Sequence, residues 1–177
     1  MGLMLDAQDC LKRMVSRCVA LQSWSGNTFT EAQLLARIYT DAIPEPDNGS
    51  THTLAEMQAL RPFVVLGIAA SSPVRIVRDA MGGGGSFQVS GSLSLLIEQA
   101  TEGTTESEID RNFNQKIESF LFTNSSASPG LLDQLDKADS LAIQEIHCEG
   151  FFRVIPEEEI SKGEAQRAYF RIDWGVK

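Results

Sequence analysis

The feature that most constrains this chain is a strict two-residue alternation near its C-terminus. From Arg167 to Trp174, Ala168, Phe170, Ile172 and Trp174 occupy one side of an extended backbone, and Arg167, Tyr169, Arg171 and Asp173 the other. A helix, with its period of about 3.6, would scatter these residues around its circumference, whereas a strand with one face in a core collects them. The stretch from Gly150 to Gly175 therefore reads as two strands joined by an acidic loop that carries Glu157, Glu158, Glu159 and Glu164. Its last strand is expected to close an antiparallel sheet. The segment FQVSGSLSLLIEQ obeys the same rule. Phe87, Val89, Gly91, Leu93, Leu95 and Ile97 share one face, while Gln88, Ser90, Ser92, Ser94 and Glu98 take the other, with Leu96 the exception. At ~3.3 Å per residue this strand would reach ~43 Å, far beyond the usual five or six residues. It is expected to project past its own domain and to bend or bulge at Gly91.

Helical periodicity marks the other elements. Over residues 6 to 22, Cys10, Leu11, Met14, Val15, Cys18 and Leu21 recur at intervals of three and four, with Asp9, Lys12, Arg13 and Arg17 opposite, which predicts a first helix. The turn Trp24-Ser25-Gly26-Asn27 ends it. Thr30 followed by Gln33 is a capping-box pattern that opens a second short helix with Leu34, Leu35 and Ile38. Pro44, Pro46 and Asp47-Asn48-Gly49-Ser50 read as a surface loop, and a turn of helix is expected near Leu54 to Leu60. The apolar run RPFVVLGIAA is a buried strand with Pro62 at its start, where a strand tolerates proline. Val74 to Arg78 reads as a short strand, and Gly82, Gly83, Gly84 and Gly85 as a flexible hairpin connector. Thr105 and Glu108 cap the clearest helix, whose stripe is Ile109, Phe113, Ile117, Phe120 and Leu121 and which ends near Phe122. A loop over Asn124 to Gly130 contains Ser128 and Pro129, which open a brief helical turn through Leu135. Strands over Leu141 to His147, Phe151 to Ile155 and Gln166 to Trp174 complete the pattern. The fold class is α+β: one domain over residues 1–177, with a helical N-terminal part (1–60) followed by the sheet and its packing helix (61–177). Its mainly antiparallel sheet, with long hairpins, packs against two or three helices.

Composition narrows the function classes. The chain has 177 residues, 42% hydrophobic and 22% charged, which supports one folded domain with a sizeable core. No run approaches the ~20 apolar residues of a membrane-spanning helix. Asp6 and Asp9 interrupt the N-terminal segment before an apolar stretch develops, so it does not read as a secretory signal, and Asp6 stands where a myristoylation motif requires Ser or Thr. Cys10, Cys18 and Cys148 lack CxxC spacing. They suit a reducing compartment, with Cys10 and Cys18 on one helical face as small buried hydrophobes. The formal charge of −9, from 15 basic and 24 acidic residues, opposes tight nonspecific binding to phosphate.

No catalytic signature emerges. A phosphate-binding loop needs GK[ST] after its glycines, and a dinucleotide fingerprint needs a helix there, whereas Gly85 is followed by Ser86 and a strand. His147 and Cys148 are adjacent, so on a strand they point to opposite faces and do not grip one metal. His52 and His147 therefore read as structural or solvent-facing. Ser92 lies in VSGSLSL, which lacks the GxSxG elbow and continues as strand. The glutamates at 157 to 159 read as a solvated loop, since paired acid/base carboxylates need environments that push their pKa values apart. Arg167, Tyr169 and Arg171 make a small patch that cross-strand pairing with glutamates accounts for. Neither a cofactor nor a metal is implied.

Taken in order, the helix, the strand beginning Arg61-Pro62-Phe63, the strand VSGSLSLLIE, the amphipathic helix and the final strand ending Ile172-Asp173-Trp174-Gly175 resemble tailed-phage tail-terminator and tail-completion proteins. The resemblance covers roughly residues 60 to 175 and rests on element order and strand texture. It implies a non-enzymatic virion protein, assembled in the host cytoplasm as a ring, commonly a hexamer. Such a ring would cap the tail tube protein and join it to head-side connector proteins, with DNA passing through without specific binding. The unmatched N-terminal portion leaves a neck or head-completion protein as the alternative. The residues themselves also leave open a cytoplasmic small-ligand enzyme, with a pocket between the sheet and the helix Thr105 to Phe122, or an adaptor that binds by strand addition. Within the ring reading, Gly82 to Gly85 and Glu157, Glu158, Glu159 and Glu164 are the candidate interface or lumen residues.

Overall fold

The computed structural model describes residues 3–24, 26–46, 49, 52–68, 75–78, 87–122, 130–136, 141–154 and 165–176. The chain opens with α1 (Leu3–Ser16), α2 (Val19–Gln22), a hairpin of β1 (Ser23–Trp24) and β2 (Asn27–Thr28), α3 (Glu31–Leu35) and β3 (Ile38–Thr40). Next come α4 (Leu54–Leu60), β4 (Phe63–Ile68), β5 (Arg75–Arg78), β6 (Phe87–Ala100) and α5 (Glu106–Leu121). A 3-10 turn (Leu131–Asp133), β7 (Leu135–Asp136), β8 (Leu141–Val154) and β9 (Ala165–Val176) complete it.

The predicted helix starts form as capping boxes. Thr30 accepts from the Gln33 backbone and Thr105 from Glu108, and in each case the partner side chain returns a bond to the cap backbone. Thr53 and Glu56 make a third box at the head of α4. Two helix boundaries differ from the sequence expectation. Residues 6 to 22 are not one helix: Cys18 is extended between α1 and α2, yet Cys10, Leu11, Met14, Val15, Cys18 and Leu21 are all buried. The stripe thus survives a break that no Gly or Pro announces. Ile38 belongs not to α3 but to β3, which runs parallel to β4 with Ile38 opposite Val64. The Arg37 guanidinium beside it donates to the Leu60 carbonyl at 2.8 Å and lies over the Phe29 ring at 4.9 Å, holding the C-terminal end of α4 against the start of β3.

Seven strands make one sheet in the order β3-β4-β6-β9-β8-β7, with β5 alongside β6, and all pairings except β3–β4 are antiparallel. This is the expected α+β architecture, with three corrections. The final strand does not close the sheet but lies in its middle, between β6 and β8. Alternation reports which face is buried and is silent about lateral neighbours. Nor does β6 project: β9 covers Val89 to Ala100, while β5 and β4 cover Phe87 to Ser90 and Leu93 to Glu98 on the other side. Its register with β9 is unbroken through Gly91, which is no bulge. A Cβ there would lie 2.8 Å from the Trp174 ring, so the glycine makes room for the indole. Thirdly, Leu141 to His147 and Phe151 to Ile155 are not separate strands, because β8 runs continuously to Val154.

Two irregularities in β8 interrupt its alternation and set which of its side chains face each side of the sheet. Ile143 pairs with Trp174 and Glu145 with Asp173, leaving Gln144 extra; Cys148 pairs with Phe170 and Gly150 with Tyr169, leaving Glu149 extra. Each inserted residue inverts the in–out alternation. Ile143, Ile146 and Phe151 consequently share the core face, whereas Glu145 and His147 share the other.

The helices cover one face of the sheet. Leu11, Met14 and Val15 of α1, Leu21 of α2 and Phe113, Ile117 and Phe120 of α5 join Val64, Leu66, Leu93, Leu95, Ile97, Phe170, Ile172 and Trp174 in one continuous core. Phe151 meets Phe113 and Phe170 edge-on at 6.1 and 6.4 Å.

Candidate functional site

The second face of the sheet carries the polar halves of the alternating strands and remains half-exposed at Ser94, Leu96, Tyr169, Arg171, Asp173 and His147. Across it, register aligns Glu145, Asp173 and Ser92 in one row, with His147, Arg171 and Ser94 in the next. The Ser92 hydroxyl donates to Asp173 Oδ1. His147 Nε2 stands 3.1 Å from Asp173 Oδ2 and 3.5 Å from Glu145 Oε2, and Arg171 Nε lies 3.4 Å from Asp173 Oδ1. Partial burial opposes charge on Asp173, but the bonds from Ser92 and His147 and the nearby Arg171 outweigh it and hold the carboxyl below its ordinary range.

Ser, His and Asp meet here in an order unlike a nucleophile relay. An activated serine hydrogen-bonds to the histidine that takes its proton, with the carboxylate behind the histidine. Here the carboxylate is central: Ser92 and His147 occupy its two different oxygens. The hydroxyl is committed to Asp173 Oδ1, and the imidazole meets the other oxygen of the same carboxylate. The arrangement suits holding an ion or a polar group rather than acyl transfer.

A second polar group lies farther along the same face, beyond the Leu96–Tyr169 pair. Glu98 is fully buried, with Arg61 Nε at 2.7 Å from Oε1 and Arg167 Nε at 2.5 Å from Oε2. Each carboxylate oxygen thus has its own guanidinium, the condition under which a buried charge is tolerated. The pair Glu98–Arg167 is a directly opposed cross-strand pair, in line with the pairing expected for that arginine. This cluster ties the entry of β4 to β6 and β9 and presents no free valence for chemistry.

The thiols divide similarly. Cys10 and Cys18 are buried and Cys148 is exposed. Burial pushes the Cys18 thiol up to about 12, partly offset by the Gln134 side chain donating to its sulfur, so Cys18 is no nucleophile at neutral pH.

The residues predicted for an interface or lumen, Gly82, Gly83, Gly84, Gly85, Glu157, Glu158, Glu159 and Glu164, all lie outside the described residues. What the sequence reading missed is Glu145 beside His147. The neighbour Cys148 does face the other way, whereas Glu145, two positions before His147, faces the same way. The i, i+2 spacing on a strand is the signal that places two side chains on one face. The third member, Asp173, is brought in by register alone.

No protein-family profile matches this chain, and no curated protein matches it.

Proposed function

We propose that the chain is a structural protein of a tailed-phage particle, a tail terminator whose copies form a ring that caps the tail tube and joins it to the head-side connector. The observation that carries this reading is the outer edge of β8. That strand runs fourteen residues, from Leu141 to Val154, yet β7 pairs only with Leu141 and Ala142. From Ile143 onward β8 has β9 on one side and, among the described residues, no strand on the other. This edge extends ~40 Å at ~3.3 Å per residue, and its backbone donors and acceptors suit strand addition by a neighbouring subunit. The irregularities at Gln144 and Glu149 blunt such an edge against indiscriminate pairing, which favours a specific partner.

An edge on one side of a subunit, met by a different surface of the next, is a head-to-tail contact, and a closed rotation turns such contacts into a ring. Six copies is the order that the resemblance to tail terminators favours. The charge of −9 would keep DNA from adhering while it passes through the lumen, with Glu157, Glu158, Glu159 and Glu164 as lumen residues and Gly82 to Gly85 at the subunit contact.

Electron microscopy of the protein mixed with its cognate tail tubes, beside light scattering of the protein alone, tests the reading. Rings on one end of the tubes are the expected result. Binding to isolated connectors but not to tubes would favour the neck or head-completion alternative, and a chain that binds neither and remains monomeric at high concentration overturns the proposal.

A further inference from the structure

We infer that Glu145, His147 and Asp173 form a binding site for a divalent transition-metal ion of the zinc class, a property independent of ring assembly. Their ligand atoms all lie within 4.8 Å of one another. At metal–ligand lengths of about 2.0–2.2 Å, the corners of a tetrahedral site stand ~3.3–3.6 Å apart. Of the separations of His147 Nε2 from Glu145 Oε2 and Asp173 Oδ2, 3.5 Å falls within that range and 3.1 Å just below it. One imidazole and two carboxylates select a borderline ion such as Zn²⁺ or Co²⁺ over the all-oxygen preference of Mg²⁺ or Ca²⁺.

Three further features fit. Glu145 is set directly opposite Asp173 on the adjacent strand because the extra residue Gln144 resets the alternation, and His147, two residues on, shares its face. All three ligands thus stand on paired strands rather than loops, which limits their wander. Asp173 is oriented from behind: Ser92 donates to Oδ1 and Arg171 lies beside that oxygen, which leaves Oδ2 directed at His147. Such outer partners set the direction of a ligating carboxylate. Finally, three protein ligands leave a fourth position, and Glu145, whose side chain is 65% exposed, leaves that position open to water or an incoming donor.

A protonated imidazole shared by two carboxylates would give similar distances, so the experiment must separate ion from proton. The chelator-treated full chain is titrated with Co²⁺ and followed by its visible d–d absorption, then with Zn²⁺, and bound metal is counted by elemental analysis after dialysis. One equivalent per chain is expected, with Zn²⁺ displacing Co²⁺. His147→Ala should abolish the absorption, and Glu145→Gln, a near-isosteric change at an exposed position, should weaken uptake at least tenfold. His52→Ala and Cys148→Ser should leave it unchanged. Absence of stoichiometric uptake, or uptake that survives both His147→Ala and Glu145→Gln, overturns the proposal.

Discussion

Single atoms decide how tightly the two faces of the sheet are held. At Gly91 an added Cβ would stand 2.8 Å from the Trp174 ring, itself buried and fixed in the core. At Gly67 it would meet only the Ser94 hydroxyl, at 2.7 Å, on a half-exposed side chain that can change rotamer. Gly91→Ala is therefore expected to destabilise by about 1–3 kcal/mol and Gly67→Ala by much less, as read by urea denaturation; equal losses would show that the indole moves freely. Cys18 offers a pH-dependent counterpart. Its thiol ionises at 9.0 when unperturbed and at about 12 in the fold, so the folded state holds its proton where the unfolded state has lost it. That contribution is complete below pH 9 and is lost as pH rises toward 12, at up to about 1.4 kcal/mol per unit. Cys18→Val should flatten the fall of stability with pH in that window relative to the unsubstituted protein and leave the profile parallel below it.

Between elements, the buried ion cluster is the strongest test of what joins β4, β6 and β9. Removing the Glu98 carboxylate takes from Arg61, whose side chain is 7% exposed, the carboxylate 2.7 Å from its Nε. Glu98→Ala is expected to cost about 3–5 kcal/mol, and Arg167→Ala less, because Arg167 is 32% exposed and water replaces part of what it loses; denaturant midpoints compare the two. The alternation of β6 and β9 and the Thr30 and Thr105 caps were legible in the sequence because each depends on residues within one turn or one strand. The unbroken run of β8 was not, since two single-residue insertions reverse its alternation twice and imitate a turn at Glu149-Gly150. The strand over Ile38 to Thr40 was equally hidden, because only the distant partner Val64 to Leu66 makes those residues extended. The polar cluster fared likewise: Glu145 and His147 are two apart in sequence, but Asp173 and Ser92 join them through the register of three strands.

At the scale of the whole molecule the sheet is asymmetric. One face is covered by helices, β9 is flanked for its full length, and among the described residues β8 carries the longest unpaired strand edge. Cys148 lies in the middle of that strand and is exposed, while Cys10 and Cys18 are buried. A bulky maleimide added to the folded protein should therefore label a single thiol, with one adduct by mass and unchanged circular dichroism. If neighbouring subunits add to the β8 edge, the adduct obstructs the strand that must approach within ~4.8 Å of it, and ring formation and tube capping should be lost while the fold persists. A small adduct such as a methylthio group should be tolerated far better, because it adds little bulk beside the backbone. Full assembly of the maleimide-labelled protein would place the subunit contact elsewhere. Loss of assembly together with loss of the folded spectrum would instead assign Cys148 to the core, against its exposure.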